Sequence, residues 1–387
     1  MRRNTRLGTL SVALGLGSSV AWFGFAAAAD PSELASEPAW ASDTRSPRPY
    51  ARSSDPVWAL CPEPDQALTS VARSIAAGVN AATEVAAALH AAGDPHVAAR
   101  TMLLEGPRLT GSDVAPRVRS WLSAAAPTGS LRCGFASAPG KAGWRFAAVA
   151  LDALADLSPV PTRARIGSWI DIDARMLIAA RGAKVVVQTP EGDVHGLPTL
   201  FVAGRAKARA NVDRAGRWVF QVLVEDATGP RPALEVSVFA GVEPFQPVAS
   251  TSELSTVADG VADPEAGILT LLNQARREGR LPPLRRDPRL DQLALRHATA
   301  MRALQRLGHN VGDADPDERL RAAGYPSRAM GENVAHAASP LLAHRALLGS
   351  PSHRANMLDP RFDVVGIGVS ADADGSVWVT QIFVRAD

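Results

Sequence analysis

The sequence is short of the residues that announce most enzyme classes. Of 387 residues only two are cysteines, Cys61 and Cys133, and neither lies beside a histidine or in a C-x-x-C, so a redox or nucleophilic thiol is not indicated. No HExxH and no GxSxG occurs, which argues against a zincin and an α/β-hydrolase. The stretch Gly134 to Lys141 looks like a phosphate loop, but its glycine spacing is one residue too long. Ala142 also stands where a magnesium-binding Ser or Thr belongs. Charge of one sign is lacking too. Lys and Arg number 41 against 39 Asp and Glu, a net of +2, with no dense basic block beyond the first few residues, which gives no support for nucleic-acid binding. Aromatics make up only 5%, and past residue 25 no apolar run is long enough to cross a bilayer.

What is present begins with a processing signal over residues 1–29. Arg2, Arg3 and Arg6 precede an apolar stretch from Leu7 to Phe25, and Ala26 to Ala29 offer small-residue cleavage sites. The alternative is a retained anchor, but Gly8, Gly15, Gly17 and Gly24 weaken the run as a stable helix. No cysteine follows closely, so a lipid anchor is not indicated. The expectation is a secreted or periplasmic protein with no membrane span after signal removal. In that setting Cys61 and Cys133 are expected to form one disulfide, with two separate buried thiols as the alternative. Closing so long a loop stabilises a fold by roughly 4 kcal/mol in the chain-entropy model.

The length calls for two or three domains. Residues 30–58, rich in Pro, Ser, Ala and Arg, read as a flexible lead. Residues 59–160 read as helix-rich. Leu68, Val71, Ala72, Ile75 and Val79 follow helical spacing, Val97 to Leu104 suits a further helix, and Trp144 to Leu154 fits strand or helix. From 163 to 242 the period changes to two. Trp218, Phe220, Val222 and Val224 share one face, and Lys184 to Gln188 and Leu234 to Phe239 add strands. A small β-sandwich is expected there, immunoglobulin-like in pattern only. Residues 243–262 form a linker. Four helix starts follow, Asp263-Pro264, Asp287-Pro288, Asp315-Pro316 and Ser339-Pro340, each an N-cap residue with Pro at the first helical position. Strands at Val364 to Ser370 and Val377 to Val384 close the chain around Asp374-Gly375, a hairpin dipeptide. The whole is an α+β multidomain chain.

Several ordered motifs in residues 263–387 carry a resemblance. They are Leu272-Asn273-Gln274-Ala275-Arg276, Leu307-Gly308-His309-Asn310, Gly331-Glu332-Asn333, and Ser350-Pro351-Ser352-His353-Arg354-Ala355-Asn356. Phe362, Val365-Gly366-Ile367-Gly368-Val369 and Val377-Trp378-Val379-Thr380-Gln381 complete the set. This third of the chain resembles the bacterial branch of the CAP superfamily, the SCP-like extracellular domain. The resemblance implies an α-β-α sandwich with a central cavity lined by histidines and acids. Carried over, His309, Glu332 and His353 are the cavity residues, with Asn333, Ser350 and Asn356 in support. Many relatives add a second acid on the helix between the last two. Here no Asp or Glu occurs from Asn333 to Ser352, and Ser350 is expected near the vacant position. That weakens a two-carboxylate acid/base mechanism. Two imidazoles and a carboxylate still make a three-ligand set for a divalent metal such as zinc, with a position open for water.

Among the other histidines, His297 lies on an apolar helical stripe and reads as a satisfied core residue. His344 reads as a solvated helix face. His90, His96, His195 and His336 carry no constellation. Residues 131–136 and 144–150 faintly echo the closing hairpin, so 59–160 is expected to be either a degenerate CAP-like copy or an unrelated helical domain. The favoured function is binding outside the cell or in its envelope, with the His/Glu cavity holding a metal or small ligand and a glycan, lipid or protein as the partner. A metal-assisted hydrolase of peptide or cell-wall material and a structural adhesion protein with a vestigial site are the alternatives.

Overall fold

The computed structural model describes residues 43–385 apart from 46, 48, 51–53, 79–84, 125–126, 142, 246–262, 313 and 326–327. The processing signal, most of the lead and most of the linker lie outside the described residues. No helix among the described residues is long and apolar enough to cross a membrane.

The first domain runs β1 (Glu63–Pro64), α1 (Gln66–Ala76), α2 (Val85–Ala91), β2 (Ala99–Gly106), α3 (Gly111–Ser123), β3 (Ser130–Gly140) and β4 (Gly143–Ala153). The helix-rich expectation is met only in part, because these helices flank a four-stranded sheet. The helix expected at Val97 to Leu104 is instead strand β2, paired antiparallel with β4, and Trp144 to Leu154 resolves to strand. Short apolar runs of this length do not distinguish strand from helix by periodicity. Cys61 and Cys133 form a disulfide, with Cα atoms 5.9 Å apart. It ties the turn before β1 to β3.

The second domain is the expected sandwich. Its strands are β5 (Ala155–Leu157), β6 (Arg163–Ala164), β7 (Ser168–Met176), β8 (Gly182–Gln188), β9 (Val194–Leu197), β10 (Thr199–Val202), β11 (Arg205–Val212), β12 (Gly216–Asp226) and β13 (Gly229–Ala240). They form two sheets, ordered β10-β11-β7-β5 and β6-β13-β12-β8-β9. Trp218, Phe220, Val222 and Val224 all point into the core between them. On β12 the opposite face is buried as well, at Val219 and Gln221, and Gln221 there accepts from the N–H of Ser352.

The third domain runs α4 (Pro264–Glu278), β14 (Arg285–Arg286), α5 (Pro288–Leu304), α6 (Pro316–Ala322), β15 (Ala329–Ala337), α7 (Pro340–Gly349), α8 (Pro351–Met357), β16 (Val364–Ala371) and β17 (Val377–Arg385). Asp263, Asp287, Asp315 and Ser339 each cap their helix through the side chain, as their spacing predicts. Its sheet is covered by α4, α7 and α8 on one face, through Leu272, Leu347, Met357 and Phe383. On the other face α5 and α6 bury Leu290, Leu293, Leu320 and Ile382. This is the expected α-β-α sandwich.

The first and third domains share one topology. Their sheets are ordered β1-β3-β4-β2 and β14-β16-β17-β15, and in each the short first strand is the parallel one. Asp65 caps α1 through the N–H groups of Ala67 and Leu68, as Asp287 caps α5 through those of Arg289 and Leu290. The cap N–H of Asp65 bonds Cys133 O at 3.0 Å, and that of Asp287 bonds Val365 O at 3.1 Å. Each acceptor is followed by a glycine that lets helix backbone rest on the strand. A Cβ on Gly134 would stand 2.1 Å from Thr69 N, and one on Gly366 would stand 2.3 Å from the carbonyl carbon of Leu290.

These approaches give a matched prediction. Gly134→Ala and Gly366→Ala should each lower stability by about 1–3 kcal/mol in urea unfolding, the usual cost of overpacking. Gly196→Ala, with nothing within 4 Å of its added Cβ, should be near neutral. Equal midpoints for all three would show that the helices do not rest on those glycines.

Candidate functional site

Glu332 lies mid-strand in β15, opposite Ile382 of β17, with its side chain almost wholly buried. A buried carboxylate requires paired charge or hydrogen bonds. Three elements supply them. His309, in the loop after α5, donates from Nδ1 to Glu332 Oε1 at 2.9 Å. Arg319 of α6 ion-pairs with Glu332 Oε2 and holds the loop by donating to the carbonyls of His309 at 2.8 Å and Ala314 at 2.6 Å. His297 of α5 keeps its Nε2 4.0 Å from Glu332 Oε1 while bonding Gly308 O at 3.0 Å. Burial alone would raise the Glu332 carboxyl. The His309 hydrogen bond and the Arg319 charge outweigh it and hold the group below the ordinary glutamate value.

His353, on α8, belongs to a different hydrogen-bond set. Its Nδ1 lies 2.8 Å from Ser350 Oγ, and Ser350 accepts from Gln221 Nε2 of the sandwich at 3.0 Å. Gln221 can only donate from that atom, so the Ser350 hydroxyl is left to donate to His353 Nδ1. Burial and the neighbouring His309 push the His353 imidazole down to about 3, so it is neutral at ordinary pH. Asn333 and Asn356 lock the strand to the helix. Asn333 Nδ2 bonds His353 O at 3.1 Å, and Asn356 Nδ2 bonds Glu332 O at 3.2 Å and Asn333 Oδ1 at 2.9 Å. Behind them the buried Arg276 donates to the carbonyls of Pro282, Met357, Asp359 and Phe362, fixing the end of α8.

The structure thus joins His309 to Glu332 and sets His353 beside them on a separate hydrogen-bond system. Among the described residues no group of three His, Cys, Asp or Glu is placed to hold a metal ion. Three donor atoms of the cluster are already engaged within the chain. One carboxylate oxygen is taken by a guanidinium, the other by an imidazole N–H, and the His353 nitrogen nearest a partner is satisfied by serine.

Four residues that sequence reasoning passed over complete the site. Arg319 sits in a short charged helix that reads as solvated, yet it is buried. Gln221 and Glu235 are cross-strand partners, the polar interruptions of two otherwise apolar strands, which was the signal to find them. Gln221 spans the domains. Its Nε2 reaches Glu235 Oε2 at 3.1 Å, and its Oε1 accepts from Ser352 N–H at 3.1 Å. Burial pushes Glu235 up to about 7, against the opposing pull of Arg217 and Gln221. Thr228 is the fourth, its carbonyl accepting from the N–H groups of His309 and Asn310. His297 is the satisfied core residue expected. His344 is not on a solvated face: it is buried, which lowers its imidazole to about 4. His90 and His96 do have partners. His96 Nδ1 lies 2.8 Å from Asp94, and His90 lies 3.9 Å from Glu235.

Residues 269–383 match the model of the cysteine-rich secretory protein family, CAP. Over 133 residues the chain is 26% identical to the uncharacterized protein YkwD of Bacillus subtilis, covering 34% of this chain and 51% of that protein. The chain therefore spans about half the length of the curated relative it matches. An outer surface protein of Borrelia burgdorferi aligns over 31% of this chain and 90% of its own at 18% identity, TM-score 0.30. An extracellular protein containing an SCP domain from Bacillus anthracis aligns over 60% and 86% at 16% identity, TM-score 0.30.

The lowered histidines set an acid limit. His353 and His344 are favoured neutral in the fold, so the unfolded chain binds more protons between the ordinary histidine value near 6.5 and about 4 or 3. Stability is full above about pH 6.5 and should fall as pH drops through that window. Glu332, lowered, adds a further loss at the acid end. His353→Gln should flatten the slope measured by urea unfolding at several pH values, and an unchanged slope would refute the assignment.

Proposed function

With the C-terminal third of the chain a CAP domain of bacterial type, we propose that the protein acts outside the cytoplasm by binding, in the envelope or the medium, and not by hydrolysis. The observation that carries this reading is the state of Glu332. Its two oxygens are engaged by Arg319 and His309, so the only carboxylate of the cluster has no lone proton-accepting role to give a water. No Asp or Glu occurs from Asn333 to Ser352, the stretch in which many relatives add a second acid, and Ser350 in that stretch is bonded to Gln221. The disulfide between Cys61 and Cys133 supports export to an oxidising compartment, as does the secretory character of the family. In this reading the first domain is a degenerate CAP-like copy. Aligning Gly134 with Gly366 puts Val149 at Ile382 and Thr101 at Glu332, so the copy lacks the carboxylate on which the cluster is built. The ligand is a glycan, lipid or protein of the envelope or its surroundings.

The test combines turnover and metal binding on the full chain. Peptide and cell-wall substrates should not be cleaved by the native protein, and zinc titration should give equally weak binding for native protein, His309→Ala and His353→Ala. Cleavage that disappears in Glu332→Gln, or zinc binding lost in both histidine variants, would overturn the binding reading in favour of a metal-assisted hydrolase.

A further inference from the structure

The sandwich meets the CAP domain through polar groups at two points that flank the histidines. Gln221 on Ser350 and Ser352 is one. The other is the tip of the β12–β13 hairpin. There a single carbonyl, that of Thr228, accepts from the N–H of His309 at 2.8 Å and from the N–H of Asn310 at 3.1 Å. The tip is braced from behind. Asp226 accepts from the Thr228 N–H at 2.7 Å and hydroxyl at 2.6 Å, and Arg231 pairs with Asp226 at 2.7 Å. Gly229 follows at φ +96°, where a Cβ would stand 2.9 Å from the Cβ of His309. Across the contact, a Cβ on Gly308 would stand 2.8 Å from that of Thr228. A side chain on either glycine would force the surfaces apart.

Two converging main-chain donors beside an imidazole are the arrangement that holds a carbonyl oxygen, with N–H to O distances of about 2.7–3.1 Å. The contact is also built to be reversible. Among the described residues no hydrophobic cluster contains residues of both the sandwich and the CAP domain. The hairpin contact rests on a few hydrogen bonds, each contributing about 0.5–1.5 kcal/mol net, and polar interfaces between domains permit relative motion.

We propose that the Thr228–Gly229 turn is a ligand in cis: it fills a peptide-carbonyl acceptor formed by the N–H groups of His309 and Asn310 and keeps the His309 side of the CAP site closed. The chemistry selects the class of competing ligand. It is a polypeptide turn presenting a carbonyl followed by glycine, since any other residue there drives its Cβ into His309. The inference rests on the reading of the CAP domain as a binding module and names what that module accepts.

The test uses the full chain with Gly229→Val, which cannot keep both the positive φ and the contact. Two quantities are read. One is the rate of diethylpyrocarbonate modification of His309, mapped by mass spectrometry. The other is binding of a fluorescein-labelled cyclic peptide reproducing residues 222–233, by anisotropy. In the variant His309 should react about tenfold faster than in native protein, and the peptide should bind about tenfold tighter. A peptide with Val in place of its glycine should not bind. If His309 reacts no faster, the turn is not a removable plug. If it reacts faster and the peptide does not bind, the donors are not a ligand site. Either result overturns the proposal, while neither bears on hydrolysis or zinc, so the functional reading is judged separately. Should Gly229→Val not fold, Asp226→Ala, which removes the brace behind the tip without entering the contact, is put through the same measurements. His309 should again react faster than in native protein, and an unchanged rate would overturn the proposal.

Discussion

The buried carboxylate of Glu332 is the constraint around which the polar site of the CAP domain, and the docking beside it, are arranged. A charge taken out of water at mid-strand costs several kcal/mol unless it is paired and hydrogen-bonded. Meeting that requirement fixes three separate pieces of chain. Arg319 brings α6 against the sheet, and its remaining donors grip the carbonyls of His309 and Ala314. His309 is thereby oriented with Nδ1 toward the acid. Because the 308–310 loop is held from inside, its main-chain N–H groups point outward, and the sandwich hairpin finds two donors already aimed at one place. Pairing in the core and docking at the surface are consequences of the same charge.

The comparison of the two α-β-α domains isolates that effect. Both keep the strand order, the aspartate cap, the cap N–H bonded to the strand, and the glycine beneath the helix. Those features are backbone packing, and they are present where Thr101 stands at the position matched to Glu332. What the first domain lacks is the polar cluster. In its place α1 and α2 set Leu68, Val71, Ile75 and Leu89 against Val149 and Leu151, and the disulfide secures the start of the sheet. The fold does not need the site, and the site is an addition to the fold.

Legibility in the sequence followed the same division. The third domain was readable almost to the residue because Asp-Pro and Ser-Pro starts, the Asp374-Gly375 turn and the Val-Gly-Ile-Gly-Val strand are local signals. The sandwich was readable from its period of two. In the first domain β4 is alanine-rich and buried along most of its length, and β2 is a half-buried edge strand whose Met102-Leu103-Leu104 run shows no alternation and passed for a helix. Within the site, His309, Glu332 and His353 could be named from motifs. Arg319, Gln221, Glu235 and Thr228 could not, because their partners lie on other elements and, for three of them, in another domain. A polar residue inside an apolar strand says that something distant pairs with it, and does not say what.

That cross-domain dependence bears on why an uncharged residue suits position 350. A second carboxylate at Ser350 would meet Glu235, already fully buried and raised to about 7, across the single side chain of Gln221. Two acids so close and so poorly solvated would each resist ionisation. Serine avoids this, since its hydroxyl accepts from Gln221 and donates to His353 without adding charge. Ser350 is thus set by the sandwich as much as by its own domain: the uncharged hydroxyl lets Gln221 of one domain reach His353 of the other with no further charge to bury.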